Sequence, residues 1–136
     1  MSTVETLNQI GVGFLPAHLG IVVTAVDRDR VCAELEVRRF LMAPNGYLHA
    51  GSVVSLADTA AGYGCISSLP DGATGFTTVE LKSNHLGTAR DGTLECVATI
   101  VHRGSTTHVW DAVVRIKSTQ KTIALFRCTQ LILYPR

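Results

Sequence analysis

A carboxylate stands where a helix has no ordinary use for one. Asp58 lies in Leu56-Ala57-Asp58-Thr59-Ala60-Ala61, an otherwise apolar run of helix formers. At helical spacing Val54, Ala61, Gly62 and Cys65 share its face. An ionised acid among such neighbours costs several kcal/mol unless it is hydrogen-bonded or opens on a cleft. Two readings follow. Asp58 is either an acid satisfied by backbone N–H groups at a bend or interface, or a general base or nucleophile.

His49 stands nine positions earlier, in Gly46-Tyr47-Leu48-His49-Ala50-Gly51. This is where the helix should begin. A helix start offers free N–H donors and a partial positive charge, which suit an oxyanion forming on a carbonyl. A carboxylate some two turns further on lies roughly 10 Å along the axis, so a substrate crossing the helix obliquely is expected to meet both groups. The plainer alternative is that His49 only caps the helix.

The elements that must hold these residues are legible as patterns. From Gly51 to about Ser67, apolar and small residues cover nearly the whole circumference, which reads as one long buried helix. Ala57, Ala60, Ala61, Gly62 and Gly64 would let other backbone pass close to it. Ahead of it, Val4–Val12 has weak helical spacing, and Pro16 and Gly20 are read as breaks. Ile21–Val26 and Val31–Val37 read as strands around Asp27-Arg28-Asp29, and Phe40–Leu48 as a loop. After Pro70-Asp71-Gly72 the chain alternates with a period of two. Thr77–Leu86 sets Val79, Leu81 and Ser83 against Thr78, Glu80 and Lys82. Leu94, Cys96, Ala98 and Ile100 form a second inward set, and Trp110, Ala112, Val114 and Ile116 a third. The last strand spans Thr122–Tyr134. The expected architecture is a single α+β domain over residues 1–136, a curved antiparallel sheet wrapped around one helix.

Composition narrows the function classes. The chain has 136 residues, a net charge of +1, 46% hydrophobic and 17% charged residues. Disorder is excluded by so apolar a composition. Arg28–Arg30 and Arg38–Arg39 are the densest basic groups, too sparse for nucleic acid or an anionic membrane as partner. No run is long enough to span a bilayer. Met1 to Gly13 does not read as a secretion signal. Cys32, Cys65, Cys96 and Cys128 form no CxxC pair, so no metal or other cofactor is expected; four reduced thiols in a cytoplasmic protein are the reading. A small apolar chain also favours an oligomer.

Asn45-Gly46-Tyr47-Leu48-His49-Ala50-Gly51 followed by Leu56-Ala57-Asp58-Thr59-Ala60 resembles the signature of hotdog-fold thioesterases, most of all the phenylacetate-degradation (PaaI-like) and 4-hydroxybenzoyl-CoA groups. The family has Gly-x-x-His-Gly-Gly before the central helix and an acid nine positions after the His. The resemblance continues through Thr77-Thr78-Val79-Glu80-Leu81-Lys82 and His102-Arg103-Gly104-Ser105-Thr106, and so covers most of the chain after Phe40. Two positions depart from it. Ala50 replaces the first Gly, although its N–H remains. Ala43 stands where relatives often have Asn or Gln six positions before the His, leaving Asn45 as the nearest amide.

The resemblance implies a homotetramer, a dimer of dimers, with each active site shared by two subunits. Asp58 would act as nucleophile or general base on an acyl-CoA thioester. Ala50, aided by His49 and followed by Gly51, would hold the oxyanion. Thr78, from the neighbouring subunit's strand, would orient water or the acid, unless it is an ordinary strand residue. Arg90 and the run Arg103-Gly104-Ser105-Thr106 are candidates for the CoA phosphates and pantetheine, with solvated turn residues as the alternative. An aromatic acyl group is expected by analogy with the family, a medium-chain one next. A hydratase, a non-catalytic acyl-CoA binding module and a ligand-free domain are the competing classes.

Overall fold

The computed structural model of the protein describes residues 2–136. Two short helices, α1 (Val4–Ile10) and α2 (Leu15–Leu19), precede strands β1 (Val22–Val26) and β2 (Arg30–Glu36). A 3-10 turn at Arg39–Leu41 leads to the long helix α3 (Ala50–Ser67). Strands β3 (Gly75–His85), β4 (Thr93–Arg103), β5 (Thr107–Ile116) and β6 (Thr122–Leu133) complete the chain.

All strand pairs are antiparallel, in the order β1-β2-β4-β5-β6-β3, and the sheet is open at both edges. The expected fold class holds: a curved sheet around one helix, the hotdog arrangement. The helix-facing residues of the inner strands, among them Leu35, Leu94, Cys96, Ala98, Trp110, Ala112 and Val114, are buried with Leu56, Ala57, Ala60 and Ala61 of α3. Small residues on α3 set how closely it approaches. A Cβ on Gly64 would lie 2.4 Å from the Trp110 ring, and one on Gly62 would lie 2.8 Å from Phe76. Either is well inside van der Waals contact, so the helix rests directly on those rings.

Three expectations need correction. Pro16 does not break the chain but sits in the first turn of α2, where a missing N–H costs nothing; Gly20, at φ +83°, supplies the stop. The helix α3 is not buried all round. Val54, Ser55, Asp58 and Thr59 are half-buried and Ile66 is exposed, a stripe at helical spacing that the sheet does not cover. Strand β3 lies at the edge, and a bulge at Val79 interrupts its alternation. Val79 is therefore 56% exposed. Leu81 lies opposite buried Cys128 yet remains 40% exposed, because the helix covers only part of an edge strand.

Candidate active site

The entry into α3 is built around His49. Its backbone is extended at φ −67° and ψ 136°, and its Nδ1 accepts the N–H of Gly51 at 2.7 Å. It is the N-cap, the plainer of its two readings. An accepting Nδ1 carries no proton, so the ring proton sits on Nε2, on the exposed side. Gly51 is needed for this cap, since a Cβ there would lie 2.9 Å from Nδ1. Its N–H is thus engaged by His49 rather than free for a ligand. Ala50, the first helical residue, has no intrahelical acceptor for its N–H and is exposed.

A cleft of about 410 Å³ opens beside this helix start, lined by Asn45, Tyr47, His49, Ala50, His85 and Thr88 among others. Asn45 uses its Oδ1 to accept the Tyr47 N–H at 3.1 Å, a local turn bond, and keeps its amide N–H groups available. His85, from the end of β3, was not singled out from sequence; a lone His in an alternating strand carries no local signal. Arg90 lies against the neighbouring surface with its guanidinium 4.4 Å from the centre of the Tyr47 ring.

Asp58 lies two turns along α3, half-buried on the uncovered stripe. The Thr78 hydroxyl donates to its Oδ1 at 3.2 Å. Both residues belong to one chain, which corrects the expectation that Thr78 reaches Asp58 from a neighbouring subunit. Strand β3 follows α3 directly and lies along the sheet edge beneath the acid's face. Burial raises the Asp58 pKa above the ordinary carboxylate range, and the Thr78 hydrogen bond partly offsets this. No salt bridge reaches Asp58 among the described residues. A carboxylate poised in this way is a better proton acceptor than a solvated one.

The β4–β5 hairpin stands apart from this cleft. Arg103 donates to the backbone oxygen of Arg28 at 2.6 Å and pairs with Asp29 at 3.1 Å, tying the hairpin to the β1–β2 turn. Gly104 donates its N–H to Thr107 O, Tyr134 donates its hydroxyl to Ser105 O, and Ile132 donates to Thr106 O. Arg103, Gly104 and Ser105 line a surface with Ser68 and Pro70, just past the C-terminal end of α3. The two sets of CoA-binding candidates are therefore separated by about the helix length, roughly 27 Å for an 18-residue helix.

A sequence profile of the thioesterase superfamily matches residues 45–123, more than half of the chain and including Asp58 and Thr78. The protein belongs to the hotdog-fold thioesterase superfamily. It is a thioester hydrolase by that membership. The chain is 32% identical over 115 residues to the 1,4-dihydroxy-2-naphthoyl-CoA hydrolase of Listeria monocytogenes, covering 85% of this chain and 92% of that one. It is also 32% identical over 111 residues to the Escherichia coli enzyme of the same name, covering 79% of each. Among solved structures, a thioesterase of Pseudomonas aeruginosa superposes with a TM-score of 0.91 at 28% identity, over 98% of this chain and 95% of that one. Among the described residues no helix is long and apolar enough to cross a membrane.

Proposed function

We propose that this thioesterase hydrolyses an aromatic acyl-CoA, of the aryl or phenylacetyl type, to the free acid and CoA, with Asp58 as general base or nucleophile. The observation that carries the reading is Asp58 itself: half-buried, open on the uncovered stripe of α3, and held by Thr78. As general base it takes a proton from water as the oxygen attacks the thioester carbon. The tetrahedral oxyanion collapses, expels the CoA thiolate, and the proton passes to the sulfur. As nucleophile it forms a mixed anhydride, releases the thiolate first, and water then cleaves the anhydride.

The oxyanion donor is the Ala50 N–H, with His49 Nε2–H beside it. One chain does not unite these groups. Ala50 and Asp58 are eight residues apart on one helix, about 12 Å along the axis, whereas a single carbonyl must lie about 3 Å from its donor and next to its base. The working site accordingly draws Ala50 from one subunit and Asp58 from another. An open β3 edge and the uncovered α3 stripe support a dimer, and the PaaI-like resemblance extends this to a dimer of dimers. Arg90 beside Tyr47 is the favoured contact for a CoA phosphate, and Asn45 stands in for the amide that relatives carry at Ala43. The relatives named for naphthoyl-CoA hydrolysis support an aromatic acyl group. Four free cysteines suit a reducing cytoplasmic setting.

The test is a panel of aromatic and medium-chain acyl-CoAs, with released CoA measured by a thiol reagent, run on the wild type and Asp58→Asn. Aromatic substrates are expected to lead, and Asp58→Asn to lose at least about a hundredfold in kcat. A variant that keeps more than about a tenth of kcat, a cost below ~1.4 kcal/mol, removes Asp58 from the chemistry.

A further inference from the structure

Behind Asp58 the sheet buries polar side chains that the reaction just described does not use. Gln130 on β6 and His108 on β5 have no exposed surface. They are direct partners across the β5–β6 pair, and Gln130 is in turn the direct partner of Thr78 across β6–β3. All three face α3. Trp110 and Cys128, two residues along from His108 and Gln130, are buried on that side, and Thr78 reaches Asp58 from it.

Both amide atoms of Gln130, and Nε2 of His108, are buried without a hydrogen-bond partner. A polar group buried in this way is destabilising unless a partner takes it up. The side chains directly across the rungs are the groups placed to satisfy them. Side chains directly opposite on adjacent strands have Cβ atoms roughly 5 Å apart, within reach of a glutamine amide.

The chemical senses agree along the row. Trp110 Nε1 donates to His108 Nδ1 at 3.4 Å, which leaves the imidazole proton on Nε2. That N–H suits Gln130 Oε1, and the Gln130 amide N–H suits the free lone pairs of Thr78 Oγ1. Thr78 has already turned its own proton towards Asp58. We propose that Gln130 is a positioning residue for Asp58: its amide completes a one-way chain of donors from Trp110 through His108, Gln130 and Thr78 to the carboxylate. Accepting from Gln130 leaves the Thr78 hydroxyl to serve as a donor, and a donated proton stabilises the ionised acid in a half-buried place. The inference rests on Asp58 being the reacting carboxylate.

The groups facing the chain are few. Thr78 from β3 bonds Asp58, and Cys128 from β6 is close enough to feel its charge. Burial lowers the His108 pKa, and Arg103 and His102 from β4 add to this, which favours the neutral ring and an accepting Nδ1.

Gln130→Met keeps the volume and removes both amide groups. Two readouts are followed: the acid limb of the kcat/KM pH profile, and the titration of the Asp58 carboxyl carbon by NMR in carboxyl-labelled protein. Both should move upward by about half to one pH unit, and the rate on that limb should fall roughly three- to tenfold. In a Thr78→Val background the same substitution should shift nothing further, whereas an effect through packing would persist there. If Gln130→Met misfolds, His108→Leu breaks the chain one link back and should shift the same titration in the same direction. An Asp58 titration that moves while the acid limb of kcat/KM stays in place upholds the chain and overturns Asp58 as the reacting carboxylate instead. Unchanged Asp58 titration in folded Gln130→Met, with hydrolysis intact, overturns the proposal.

Discussion

The separation of Ala50 from Asp58 makes a quantitative prediction. Ala50→Pro deletes the oxyanion donor at a place built to tolerate proline. Ala50 is the first helical residue, and His49 before it is already in the extended conformation that a following proline demands. The His49–Gly51 cap is untouched by the change. Losing one oxyanion donor should lower kcat about a hundred- to a thousandfold, and Asp58→Asn should do the same through loss of the base. Each variant alone is then nearly inactive. Unfolding and refolding the two together in equal amounts lets subunits mix at random, so about half of the dimers contain one of each. In those, one of the two sites pairs an intact Ala50 with an intact Asp58, and the other carries both lesions. The mixture should recover about a quarter of wild-type activity per subunit, by the pairing rule for a site shared across a two-fold axis. The assay is CoA release at saturating substrate, with unmixed variants carried through the same refolding. Recovery no greater than the sum of the two variants would refute the shared site. So would a kcat near wild type for Ala50→Pro.

The raised Asp58 pKa also bears on stability. An acid whose folded pKa lies above its unfolded value of about 3.8 destabilises the fold while ionised, and that cost fades as pH falls through the folded pKa towards 3.8. Asp58→Asn should therefore melt above wild type at pH 7, with the difference shrinking towards zero below about pH 3.8; an equal gap at every pH would contradict the assignment. The two arginine candidates should separate cleanly. Arg90→Ala should raise KM for acyl-CoA with little change in kcat, the mark of lost ground-state binding, whereas Arg103→Ala should cost about 1–2 kcal/mol in denaturant unfolding by freeing the hairpin from Arg28 and Asp29.

The long helix and the alternating strands could be read in advance because they are local properties. A period of two in Val31–Val37 or Trp110–Ile116, and small apolar residues all along Gly51–Ser67, are set by which faces need burial. Asp58 stood out for the same reason: an acid in that run conflicts with its neighbours whatever surrounds it. The helix start at His49 was equally visible, down to the cap that the ring makes.

What the sequence left open is set by contacts between residues far apart in the chain. A period of two says that Thr77–Leu86 has two faces but not that it lies at an open edge, where Val79 and Leu81 lose their cover and a bulge becomes tolerable. Strand order decides that β3 returns beneath α3, so Thr78 meets Asp58 within its own chain. The same order places Arg90 and Arg103 at opposite ends of the helix although thirteen positions separate them in sequence. Alternation sets Gln130 and His108 on the inward faces of their strands, with Cys128 and Trp110, but does not say which residues lie opposite them. Only register, which follows from the pairing of β5, β6 and β3, aligns them behind the carboxylate, because a strand's neighbours are chosen by the sheet and not by the strand.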